Sequence, residues 1–161
     1  MYNFIQTIQV DQPSFFVKDL FLNSFGVNPP TYPKHFILFA KGDHGAVYPI
    51  GYTNFLYHQE VYLGGGMCID SHLLRRLPKS VLSELRQAGG VAHFMLNSAI
   101  QQLNDCIAIF GYVGNAMAER VDFAVGFVAT EYPHVIVYWK QSLPPTQQQI
   151  LIDKIAQLGP F

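Results

Sequence analysis

The sequence predicts an α/β (α+β) protein, a single domain over residues 1–161, with a mixed central sheet flanked by helices. Three observations point there. Apolar runs of strand length alternate with segments of helical period along the chain. The strands before residue 70 are joined by short turn-rich connections, as in antiparallel hairpins. Between Met67 and Tyr112 come the end of a strand, a helical stretch and a second apolar strand, the pattern of a right-handed crossover.

Ser14–Phe25 sets Phe15, Leu20 and Leu22 among polar residues and reads as a short helix. Asn28–Pro33 (NPPTYP) is loop, because proline removes amide donors and restricts the residue before it. His35–Lys41 is a strand, Gly42–Gly45 a turn, Ala46–Tyr57 a second strand, and a third runs from about Glu60 to Ile69. Gly64, Gly65 and Gly66 stand in its middle. Consecutive strand glycines mark a bulge or a ligand's close approach, or else a tight crossing beneath a bulky side chain. Both readings stand.

Ser71–Gln87 turns helical with a break at Pro78. In the next helix, Val91–Leu103, the residues Ala92, Met95, Leu96, Ala99, Ile100 and Leu103 fall on one stripe. Cys106–Tyr112 is a short buried strand. Ala116–Val125 is helical, Val128–Thr130 a brief strand and His134–Lys140 a clear one. Gln147–Gln157 is the last helix, with Thr146 expected as its N-cap.

Half the residues are hydrophobic and only 13% are charged, the composition of a chain with a sizeable core. A net charge of −1 sets up no global field for nucleic acid or an anionic membrane, so neither partner is expected. The opening MYNFIQTIQVDQP lacks the basic start and long apolar core of a signal peptide, and no run approaches the ~18 apolar residues of a membrane span. A cytoplasmic protein is expected, and the sequence leaves a homodimer open. Cys68 and Cys106 lack metal-ligand spacing and read as buried free thiols; no metal site is expected.

The stretch Gln87-Ala88-Gly89-Gly90-Val91-Ala92 stands directly before the helix that starts at Val91. Glycine just past a helix is the ordinary stop signal, so the stretch can be a simple boundary. It can equally be an anion cradle. Free N–H groups and the positive end of the helix dipole favour a phosphate, and glycine lets that phosphate reach the backbone. Four basic residues, Arg75, Arg76, Lys79 and Arg86, cluster just ahead of it.

These residues resemble the GNAT superfamily of N-acetyltransferases. Gln87–Ala92 matches the family's Q/R-x-x-G-x-G/A loop. Beyond the following strand, Asn115-x-x-Ala118 and Gly126-Phe127 fall at the offsets of its N-x-x-A-x-x-x-Y-x-x-x-G-F pattern. The resemblance implies a splayed mixed sheet that takes acetyl-CoA or another acyl-CoA as co-substrate. Gln87, Ala88, Gly89, Gly90, Val91 and Ala92 would cradle its pyrophosphate, and the backbone of Met67, Cys68 and Ile69 would pair with the pantetheine arm. Asn115 and Ala118 would complete the cofactor site. Gly64–Gly66 would supply a bulge whose N–H stabilises the thioester oxyanion.

The sequence departs from the family at three places. Seventeen residues separate Ile69 from Gln87, so a helical insertion precedes the cofactor loop. A C-terminal helix is added after a short strand pair. Asp122 stands where the family often has a tyrosine acid. An unperturbed aspartate, with a pKa of about 3.9, is ionised at neutral pH and cannot protonate a departing thiolate. Asp122 is therefore either a capping or solvated carboxylate, or an acid raised by burial.

The acceptor amine must lose a proton before attack, and Glu60 is the expected base, with His58 second. His93 and His134 read as structural. Tyr48, Tyr52 and Tyr57 read as an aromatic wall, either core or acceptor pocket. The expected function is amine acylation by direct attack on acyl-CoA, with a small-molecule amine favoured over a basic protein tail. The alternative is a non-catalytic acyl-CoA sensor or scaffold of the same fold.

Overall fold

The computed structural model describes residues 4–31 and 34–161. Its strands are β1 (Ile5–Val10), β2 (Lys34–Lys41), β3 (Val47–His58), β4 (Val61–Ile69), β5 (Ala108–Tyr112), β6 (Val128–Ala129) and β7 (Val135–Trp139). The helices are α1 (Ser14–Phe25), α2 (Ser71–Leu74), α3 (Lys79–Gln87), α4 (Val91–Gln102), α5 (Ala116–Val125) and α6 (Pro145–Ala156). The sheet order is β1-β2-β3-β4-β5-β7-β6. Of the loop expected over Asn28–Pro33, Tyr32 and Pro33 lie outside the described residues. No described helix is long and apolar enough to cross a membrane.

The chain divides into two compact units. One comprises the residues up to Asn54 with Gly66–Gln102, the other Phe55–Gly65 with Leu103–Phe161. In the first, β1 pairs antiparallel with β2, from Ile5 opposite Ala40 to Val10 opposite His35. Alternation along β2 then sends successive side chains to opposite faces. Leu38 and Ala40, with Ile50, pack against Val81 and Leu85 of α3 and Met95 of α4. Ile37, with Tyr52 and Cys68, packs beneath Val17 and Phe21 of α1.

In the second unit β4 and β5 run parallel, with Val61–Leu63 opposite Ala108–Phe110. The ladder joins these three pairs, while β4 runs on to Ile69 and β5 to Tyr112. β7 adds antiparallel to β5, and the two-residue β6 to β7. Helix α6 places Ile152 and Ile155, three apart and so on one face, against Val61, Leu63, Ala108, Phe110, Val135 and Val137.

Four features differ from the sequence reading. Strand β1 was not anticipated. Its one buried side chain is Thr7, so burial along IQTIQV does not follow hydrophobicity. Helix α6 begins at Pro145 and Pro144 occupies the cap position without a side-chain bond, so Thr146 is not the N-cap. Proline at the first helical position is already preset for the helix. The Gly42–Gly45 turn contains a short 3-10 segment, Asp43–Gly45. Strand β5 starts two residues later than expected, at Ala108. Cys68 and Cys106 are both buried.

Ile155 is 1% exposed, so Ile155→Ala should cost about 2–5 kcal/mol through lost burial and a residual cavity. The single tryptophan, Trp139, packs against this cluster and against the Phe110 ring, which makes denaturant unfolding followed by its fluorescence the measurement. A loss below about 1 kcal/mol would mean that α6 is not an integral part of this core.

Candidate functional site

The Gly-rich turn does both things its sequence allowed. Gly89 and Gly90 have φ of 97° and 104°, a region closed to most side chains. In that conformation Gly89 N–H donates to Arg86 O at 3.1 Å and Gly90 N–H to Leu85 O at 2.9 Å, which closes the end of α3. One residue later α4 begins, and Phe94 N–H donates to Gly90 O at 2.9 Å. Among the described residues, the amides of Val91, Ala92 and His93 have no backbone acceptor. They form the positive end of a twelve-residue helix. A side chain at Gly90 would meet nothing within 4 Å, so the turn is open there, whereas at Gly89 it would strike the His93 ring at 2.9 Å.

In the same unit, Met67 and Ile69 pack partly buried toward the α3–α4 side, and Cys68 is buried toward α1. The side chains of Met67–Ile69 are thus spent on packing, which leaves their backbone as the part able to pair with a ligand. Neighbouring Gly66 lies under the Phe25 ring, whose nearest carbon is 2.9 Å from where a Cβ would sit. The crossing reading of the glycines therefore holds at Gly66. Arg75, Arg76, Lys79 and Arg86 are exposed on the inserted helical segment, with Arg76 stacked 5.2 Å from the centre of the Tyr48 ring.

The second motif is built around α5. Asn115 is its N-cap, its side-chain oxygen accepting from Ala118 N–H at 2.8 Å. The spacing of Asn115 and Ala118 is that of a helix cap. At the other end, Gly126 and Phe127 N–H both donate to Asp122 O at 3.1 Å. Phe127 is then buried, with its ring 5.7 Å from that of Tyr138. The motif thus starts the helix, stops it and anchors its exit.

Between the two ends, Asn115, Glu119 and Asp122 follow one helical stripe at i, i+4 and i+7. Burial, and then the negative charge of Glu119, push the Asp122 carboxyl up to about 6. Glu119 was absent from the sequence reading, although its place on the stripe was legible. The aspartate is accordingly a group that changes charge near neutrality, which a solvated carboxylate would not do.

The remaining candidates are dispersed. Glu60 is exposed in the two-residue turn before β4, its backbone carbonyl accepting from Ile107 N–H at 2.9 Å. The three tyrosines do not form one wall. Tyr52 is fully buried, its hydroxyl 2.8 Å from His35 Nδ1 and accepting from Asn54 at 3.0 Å. Tyr57, half exposed, packs instead on Tyr62. His134 Nδ1 donates to Val113 O at 2.8 Å, a tie between two loops.

A carboxyl raised in the folded state stabilises the fold fully below its unfolded pKa and loses that contribution as pH rises through the folded value. For Asp122 the window runs from about 3.8 to about 6. Asp122→Asn should therefore be more stable than the parent at pH 7.5, on the order of 1 kcal/mol after allowing for solvent that still reaches the group. That advantage should shrink at pH 4.5. Chemical unfolding at both pH values reads it, and parallel stability profiles would show that Asp122 is not perturbed.

No protein-family model matches the sequence, and neither does any curated protein. Solved structures do align with it. The ribosomal-protein-S18-alanine N-acetyltransferase from Escherichia coli superimposes with a TM-score of 0.52 at 15% identity, over 89% of this chain and 97% of its own. The ribosomal-protein-S5-alanine acetyltransferase from Vibrio fischeri gives 0.53 at 13% identity, over 90% and 100%. A GNAT family acetyltransferase from Brucella melitensis, in complex with acetyl-CoA, gives 0.52 at 12% identity, over 89% and 93%. The chain has the GNAT acetyltransferase fold.

Proposed function

We propose that the chain is an acyl-CoA-dependent N-acyltransferase. The observation that carries this reading is the Gln87–Ala92 turn. Two left-handed glycines consume their own amides in closing α3, and so present those of Val91, Ala92 and His93 at the start of α4. In our scheme these amides bind the pyrophosphate of acyl-CoA, and the backbone of Met67–Ile69 holds the pantetheine arm. The exposed basic residues of α2–α3, Arg75 and Arg76 first, add charge for further phosphate. Asn115 and Ala118 take part through the helix start that they define.

The chemistry then needs two proton movements. The amine lone pair forms a bond to the thioester carbon, and the carbon–sulfur bond breaks with its electron pair going to sulfur. We assign Asp122 as the group that protonates that thiolate, because at a pKa of about 6 roughly a tenth of it carries a proton at pH 7. Glu60 is the assigned carboxylate for the proton lost by the amine. An acid of this kind gives a rate that falls as pH rises through about 6. The sensor reading keeps the cofactor turn and omits both proton movements.

Acetyl-CoA binding and turnover with a panel of amines test the reading together. Gly90→Val places a side chain at φ 104° in the open part of the turn, and should abolish CoA binding in a protein whose circular dichroism still matches the parent. Asp122→Asn should bind CoA as the parent does and turn over about 10²–10⁴-fold more slowly. If the parent binds CoA and acylates no amine, it is a sensor; if it does not bind CoA, the acyl-CoA reading fails.

A further inference from the structure

Helix α1 is apolar on both of its sides. Val17 and Phe21 pack into the core on Ile37, Tyr52 and Cys68, which is the part an ordinary surface helix needs. Yet seven of its twelve residues are apolar, and several of them face outward. Phe15 is 83% exposed, Phe16 and Leu22 are exposed as well, and the rings of Phe15 and Phe16 touch edge to face at 5.0 Å. At about 200 Å² for a free aromatic side chain, these three residues leave roughly 300 Å² of apolar surface in water. A patch of that size on one element marks a surface that something covers.

The charges on this surface say what the cover is. The stripe opposite Val17 and Phe21 reads Phe15, Lys18, Asp19, Leu22, at i, i+3, i+4 and i+7. Val17 departs from helical geometry, with φ −131° and ψ 17°, which offsets the first turn. Phe15 nonetheless lines one open groove with Lys18 and Asp19, whose far wall holds Pro49 and Leu73. At about 270 Å³ the groove is smaller than the usual small-molecule site, but it can seat a side chain. Lys18 and Asp19 are exposed, and as helix neighbours they point about 100° apart, so they do not pair with each other. Among the described residues neither is in an ion pair.

We propose that this face of α1 docks on the same face of a second copy of the chain. Apolar, positive, negative, apolar is an order that complements itself when reversed. Two α1 helices laid antiparallel about a twofold axis between residues 18 and 19 set Phe15 of each copy against Leu22 of the other. The same operation sets each Lys18 against the opposite Asp19, so both charges are paired and no third partner is needed. One positive and one negative charge give an anionic lipid surface no net attraction to the face. The apolar patch is smaller than the ~800 Å² per partner of a standard stable interface, so the association is expected to be micromolar. The inference does not depend on the acyltransferase reading.

Sedimentation equilibrium of the full chain tests this. The parent should form a reversible dimer with a dissociation constant between about 1 and 100 µM. Lys18→Asp and Asp19→Lys each set like charges opposite one another and should weaken the dimer about tenfold or more, with circular dichroism unchanged. The double variant Lys18→Asp/Asp19→Lys rebuilds both pairs in reverse and should recover the parent's constant to within about threefold. An equimolar mixture of the two single variants should form a heterodimer more tightly than either variant pairs with itself. A parent that stays monomeric at roughly 300 µM overturns the proposal. A dimer that the single reversals leave intact overturns it too, since the copies then meet elsewhere. Flotation of a monomeric parent with phosphatidylcholine–phosphatidylserine vesicles would assign the face to lipid instead.

Discussion

The left-handed pair Gly89–Gly90 is the constraint on which the account of this protein depends. Only Ala88, Gly89 and Gly90 separate two helices there, and the positive φ of the two glycines is one that other residues adopt only with strain. The glycine amides turn back to satisfy Leu85 and Arg86 carbonyls. The next three amides then have nowhere to donate within the backbone. A buried helix start without acceptors would be a defect, but an exposed one is a ready place for an anion. The same geometry therefore sets the packing of α3 on α4 and the chemistry the turn can offer.

The other half of the candidate chemistry depends on how α5 is held. Asn115 caps its start and Gly126 ends it, so the stripe of Asn115, Glu119 and Asp122 keeps one orientation. Burial of Asp122 beside Glu119 disfavours a second negative charge, which is why the carboxyl titrates near neutrality. An aspartate can in this way supply a proton where the family pattern has tyrosine. The demand on it is also small, since a thiol is a good leaving group even unassisted.

Much of this was legible in the residues, because the signals were local. Ser14–Phe25 and Ala116–Val125 were read with the bounds the structure has, each ended by a glycine in a conformation other residues resist. The turn at Gly89–Gly90 was legible for the same reason. β1 was not, because its formation is decided by pairing with β2, and its buried residue is a threonine. The pKa of Asp122 was open in the sequence, since it depends on how closely α5 is covered.

The central claim is that the amides after Gly90 bind the phosphates of CoA. The most direct measurement is a titration of the isotopically labelled protein with CoA, followed through its backbone amide resonances. The account predicts saturable shifts that are largest at Val91, Ala92 and His93. It also predicts that 3′-dephospho-CoA, which keeps the pyrophosphate, moves the same amides. Shifts confined to other parts of the chain, or none at millimolar CoA, would contradict it.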